Sequence, residues 1–96
     1  IAFRNLFAEY FDTSVIDSAS GIFKSEVLFL IDENGTPSNV QAIGSFVDFN
    51  QECIITFYKI IHKGKWKPAE KDGVPVKSVY KFRISIKSWG EIKMNW

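Results

Sequence analysis

A chain of 96 residues, 46% hydrophobic and 24% charged, has apolar material for one core and too little length for two, which argues for a single domain, 1–96, and against disorder. One cysteine, Cys53, excludes an internal disulfide, and no run reaches the ~18 to 20 apolar residues that span a bilayer. The net charge of +1 hides two basic and eight acidic residues in Ile1–Tyr58 against ten basic and three acidic in Lys59–Trp96, so the halves complement each other or present a basic face.

The chain opens on Ile1 rather than methionine, which reads as a fragment or a processed form. From Ile1 to about Phe11 the apolar Ile1, Phe3, Leu6, Phe7, Tyr10 and Phe11 recur at three and four, predicting a short amphipathic helix. Thr13–Gly21, rich in Ser and Asp, reads as a loop, so residues 1–21 form an N-terminal helix and loop ahead of a core at about 22–87.

Ile22–Asp32 alternates and then turns continuously apolar, with Phe23, Val27, Phe29 and Ile31 on one face and Leu28 and Leu30 on the other. This predicts a central strand covered on more than one side. Asn34-Gly35 predicts a type I′ hairpin turn, because these residues readily supply two positive φ values. Ser38–Ile43 then forms an antiparallel return strand, with Val40 and Ala42 or Ile43 as its inward residues.

Phe49, Cys53, Ile54, Phe57, Ile60 and Ile61 fall at helical spacing, with Gln51, Glu52, Thr56, Lys59 and Lys63 filling the polar side. Two starts compete: a capping box of Asp48 with Gln51, or Asn50 as N-cap with Phe49 and Ile54 as a hydrophobic staple. Lys59, His62 and Lys63 suit the negative helix pole, Gly64 reads as the residue that ends the helix, and Pro68 forbids its resumption. Trp66, between Lys65 and Lys67, is then expected to plug the end between helix and sheet, its indole N–H satisfied by one backbone carbonyl. In Val76–Lys87, Val76, Tyr80, Phe82, Ile84 and Ile86 point one way and Lys77, Lys81, Arg83, Ser85 and Lys87 the other, an amphipathic strand with a cationic outer face. Ser88–Trp96 is a C-terminal extension, read as a short appended strand or a tail that packs back with Trp89.

Groups for chemistry are sparse. Cys53 and His62 lie nine residues apart on one helix, roughly 13 Å along its axis, too far for a nucleophile and its base. No Cys or His spacing suits zinc, no glycine-rich phosphate loop occurs, and Asp32 and Glu33 flank a turn, so neither an enzyme, a metal site nor a cofactor is expected. Nucleic acid is not expected either, since Tyr80 and Phe82 sit on the aliphatic face, opposite Lys81 and Arg83, where bases cannot stack between the cations. A sheet edge remains: the last long strand either accepts an extended peptide by β-augmentation or is an ordinary edge kept soluble by lysines.

The order hairpin, helix, Trp-x-Pro, glycine-containing connection and long amphipathic strand resembles the C-terminal domain of the TonB family of energy transducers, in the variety common in Bacteroidetes-type bacteria. Val27–Ile43 (VLFLIDENGTPSNVQAI) is similar to that family's strand, acidic-Gly turn and V-x-x-V-x-V return strand. Lys65-Trp66-Lys67-Pro68-Ala69 followed by Asp72-Gly73-Val74-Pro75-Val76 is similar to its W-K-P-A and N-G-K-P-V signature, and the likeness runs from about Phe23 to Ile86. The family often has Tyr-Pro ahead of the first strand, where this chain has Tyr10-Phe11-Asp12, and Pro37 stands where the second strand begins.

The resemblance implies a two-layer α+β domain of β-β-α-β order, with a three-stranded antiparallel sheet and the main helix on one face. It implies a periplasmic location and, in the full-length protein, an inner-membrane anchor reaching motor proteins through an N-terminal region. The partner-binding strand would be Val79, Tyr80, Lys81, Phe82, Arg83, Ile84, Ser85 and Ile86, pairing with the TonB-box peptide of an outer-membrane transporter. The alternative is a stand-alone periplasmic interaction or structural domain of the same fold with another protein partner, or one that dimerises through its own edges.

Overall fold

Antiparallel pairing organises the computed structural model, which describes residues 3–12, 14, 21–87 and 92–95. Helix α1 (Phe3–Tyr10) precedes strands β1 (Ile22–Ile31) and β2 (Pro37–Ile43). Helix α2 (Val47–Ile60) runs into one 3-10 turn at Ile61–Lys63. Strands β3 (Ala69–Lys71), β4 (Val74–Val76), β5 (Ser78–Lys87) and β6 (Ile92–Asn95) follow. The protein is α+β: β2-β1-β5 forms the expected three-stranded antiparallel sheet, β6 adds a fourth strand outside β5, and β3-β4 is a separate hairpin.

Strict alternation in β1 and β5 sends their aromatic and branched residues to one face, where α2 and α1 cover them. Phe29 and Phe82 stack across the β1–β5 pair with centroids 5.8 Å apart, and Phe57 of α2 and Phe3 of α1 close on Phe82 at 5.6 and 5.5 Å. All four rings are buried, and each removes a large apolar area from water. The other face of the sheet has no covering layer among the described residues: Ile22, Ile43 and Val79 are more than half exposed, and Leu28 and Leu30 are partly exposed. The expectation that β1 is covered on more than one side therefore fails, because α1 and α2 both pack on the Phe29 face.

Several local readings are corrected. The type I′ turn is not at Asn34-Gly35: only Gly35 has positive φ there, +83°, and the Gly35 N–H donates to the Asp32 carbonyl at 3.0 Å. The Asp32 carboxylate accepts from the N–H groups of Asn34 and Thr36, both at 2.9 Å, and so selects a three-residue loop. The paired positive φ values occur instead at Asp72 (+54°) and Gly73 (+80°), joining β3 to β4 with Lys71 opposite Val74.

Neither reading of the α2 start holds. The helix begins at Val47, its N-cap Phe46 makes no side-chain cap, and the Asn50 amide donates instead to the Gly44 carbonyl at 2.8 Å. Its far end tightens to a 3-10 turn and Gly64 is extended (φ −103°), so the helix terminates without a left-handed residue. Glu52 and Thr56, expected on the wet side, are buried. The Thr56 hydroxyl donates to Glu52 Oε2 at 3.2 Å and the Asp12 N–H to the same oxygen at 3.1 Å, so the segment after α1 supplies the partner that makes this burial tolerable.

Other expectations hold. Val40 is buried, and Ala42 rather than Ile43 is the second inward residue of β2. Trp66 packs at the open end of the core, 5.0 Å from Phe29 and 5.3 Å from Phe3, and its indole N–H donates to the Ile61 carbonyl at 2.7 Å while Lys65 and Lys67 are exposed. The extension contains the strand β6; Trp89 and nearly all of the loop 13–21 lie outside the described residues.

Candidate functional site

The two outer strands of the β2-β1-β5 core offer different edges. Register changes by one between Leu28↔Gln41 and Leu30↔Ser38, so Asn39 and Val40 together oppose Phe29 in a β-bulge. Asn39 takes up a left-handed φ of +58°, a conformation asparagine tolerates better than most residues. The Val40 N–H donates to the Tyr58 hydroxyl at 3.1 Å, so a side chain from α2 occupies a donor of this strand. Pro37, which has no N–H, begins it.

β5 is regular over its whole length. It pairs with β1 residue by residue from Ile22↔Lys87 to Ile31↔Ser78 without a shift. Two anchors hold its start: the Tyr80 hydroxyl donates to the Lys67 carbonyl at 2.6 Å, and the Ser78 hydroxyl accepts from the Ala69 N–H at 3.3 Å. Of the proposed partner-binding strand, Phe82, Ile84 and Ile86 are buried, Tyr80 and Ser85 are partly buried, and Val79, Lys81 and Arg83 are exposed. The structure thus brings the eight residues onto one strand whose sides are an aromatic core and a cationic surface.

On its outer edge β5 is paired only in part. β6 runs antiparallel along Arg83–Ile86, from Arg83↔Asn95 to Ile86↔Ile92. Ahead of this, Val79–Lys81 has no partner strand among the described residues. A wholly open edge across Val79–Ile86 is therefore not what the fold presents: half of it is already occupied. The reading of Ser88–Trp96 as a short appended strand anticipates β6, but nothing in the four residues Ile92–Asn95 marks β5 as the strand they join.

On the uncovered sheet face Glu26 sits between two cations, 3.8 Å from Lys81 Nζ and 3.7 Å from Arg83 Nε. These are long contacts between solvent-exposed groups, so each contributes little to stability. Beside this pair lies a groove of about 470 Å³, bounded by Lys24, Glu26, Ile43, Arg83 and Ser85.

Cys53 is fully buried in the core and carries no reactive thiolate; desolvation, with Glu52 nearby, pushes its pKa up to about 12 against the counteracting hydrogen bond with Ser25. Among the described residues no group of three His, Cys, Asp or Glu side chains could hold a metal ion, and no helix is long and apolar enough to cross a membrane. No family model matches the chain, and no curated protein or solved structure is detectably similar to it.

Proposed function

We propose that this domain is a protein-binding module of a TonB-type energy transducer, which receives the TonB-box peptide of an outer-membrane transporter as a strand added to β5. The observation that carries the reading is the regular outer edge of β5, which among the described residues has no partner strand at Val79–Lys81 and a four-residue one beyond, whereas β2 is bulged and partly blocked by Tyr58. Main-chain groups supply affinity in strand addition, and alternate side chains supply selectivity. The motif order from Val27 to Ile86 points the same way. Such a domain works in the periplasm, joined to inner-membrane motor proteins through a region upstream of Ile1, and needs no cofactor.

Titration of a TonB-box peptide into isotope-labelled protein tests this. Backbone amides of Val79–Lys81 are expected to shift first, with Arg83–Ile86 following, and the affinity should persist in moderate salt because backbone bonds carry it. Shifts confined to β2, or none, would exclude the reading. A stable dimer in sedimentation that protects the same β5 amides would identify a second copy as the occupant.

A further inference from the structure

An antiparallel sheet that meets water on one side normally sets polar residues there, and β1 departs from that pattern. Its outward residues are Ile22, Lys24, Glu26, Leu28 and Leu30, and no described residue covers them. Register gathers them into two zones. At one end Leu30 lies opposite Val79, with Leu28 next to it opposite Gln41, around a dent of about 160 Å³ that Asn39 of the bulge also lines. That space is on the scale of roughly one branched or aromatic side chain. About four residues back along β1, roughly 13 Å, lies the groove of about 470 Å³ between Lys24, Glu26 and Arg83. Across the two zones the face carries Lys24, Lys81 and Arg83 against one carboxylate, Glu26, which reaches both Lys81 and Arg83. Main-chain groups lie in the plane of the sheet, so this face offers side chains alone.

We propose that this uncovered face of the sheet is a docking surface for an acidic amphipathic helix of a partner protein. The three strands β2-β1-β5 span about 10 Å, the diameter of one helix, and the ten residues of β1 run roughly 33 Å, the length of about 22 helical residues. The partner helix sets an aliphatic side chain in the Leu28–Leu30 dent and carboxylates on Lys24 and Arg83, about two and a half turns further on. Charge disfavours a second copy, which would set cation on cation, and Glu26 in the middle of the face works against a phosphate backbone, for which no outward aromatic ring offers a stacking surface. Docking here uses none of the β5 main chain, so it stands independently of strand addition.

The probe is a helical peptide of about 22 residues, mostly alanine and glutamine, with leucines on one face and glutamates about nine residues along that same face, titrated into the full chain. Methyl resonances of Leu28, Leu30 and Val79 are expected to shift together with the amide of Lys24, and the affinity should fall as salt rises. Lys24→Glu, at an exposed position outside the core, should weaken binding about five- to tenfold. Glu26→Gln removes the carboxylate of the face and should tighten binding about two- to fivefold, a gain that a damaged fold does not produce. The same peptide with lysine in place of glutamate should leave the methyls unmoved. No shift at the face up to millimolar peptide, equal binding of the acidic and basic peptides, or unchanged affinity in both variants would each overturn the proposal. Vesicles of anionic lipid that displace the peptide, or a dimer in sedimentation that shields the Leu28 and Leu30 methyls, would overturn it too, by giving the face to a membrane or to a second copy.

Discussion

The two flanks of the core sheet show opposite ways of treating an unpaired backbone. β2 is seven residues long, begins at a proline, is bent by a bulge at Asn39–Val40, and has a donor engaged by Tyr58. β5 is ten residues long, in continuous register with β1, and among the described residues outwardly paired only through the four residues of β6. Edges that must stay single carry devices such as those of β2. The β5 edge is thus covered in part by a separate short strand, whereas the β2 edge is bent by the strand's own shape.

Both edges rest on the same stacked rings. Phe82→Ala removes a buried ring that touches Phe3, Phe29, Phe57 and Trp66, and is expected to lower unfolding free energy by about 3–5 kcal/mol in urea titrations. Because the ring joins β1, β5 and both helices, the loss should disrupt both edges together; selective loss of β5 pairing alone would mean that the flanks are stabilised independently.

A smaller and more local change tests the blocked edge. Tyr58→Phe deletes the acceptor for the Val40 N–H and should cost about 1 kcal/mol. Hydrogen exchange at Val40 should accelerate while the amides of β5 keep their rates. If Val40 exchange is unchanged, Tyr58 does not guard that edge and the bulge alone must do so.

The smallest effect is expected on the open face. Glu26→Gln leaves Lys81 and Arg83 without their shared carboxylate, yet at 3.8 and 3.7 Å between exposed groups the change should be within about 1 kcal/mol and should vanish in high salt. Chemical denaturation at two ionic strengths checks it. A large, salt-insensitive loss would show that the charge pattern beside β5 is structural rather than available to a partner.

Much of this architecture is legible in the chain. The two-residue period of Ile22–Ile31 and Ser78–Lys87 and the helical spacing of Phe49, Cys53, Phe57 and Ile60 are imposed by a core each element must face, so they survive in the sequence as pattern. What stays hidden depends on which side chains capture particular polar groups, whether near or distant in the chain. Glu52 reads as a surface residue until Asp12, forty positions earlier, donates its N–H. Asn34-Gly35 satisfies the general preference for a type I′ turn, but the Asp32 carboxylate captures two amides and stabilises a longer loop. Of the candidate site, the strand and its two faces are readable in alternation. Its partial occupation by β6 is not, since a four-residue strand acquires meaning only from the edge beside it.

The unbroken register between β1 and β5 also has a mechanical meaning. Tension applied along β5 meets the rungs from Ile22↔Lys87 to Ile31↔Ser78 side by side, so the load is spread as shear over the whole ladder instead of peeling one rung at a time. A strand lying alongside β5 would be loaded in the same direction, and the grip could far outlast what its equilibrium affinity suggests.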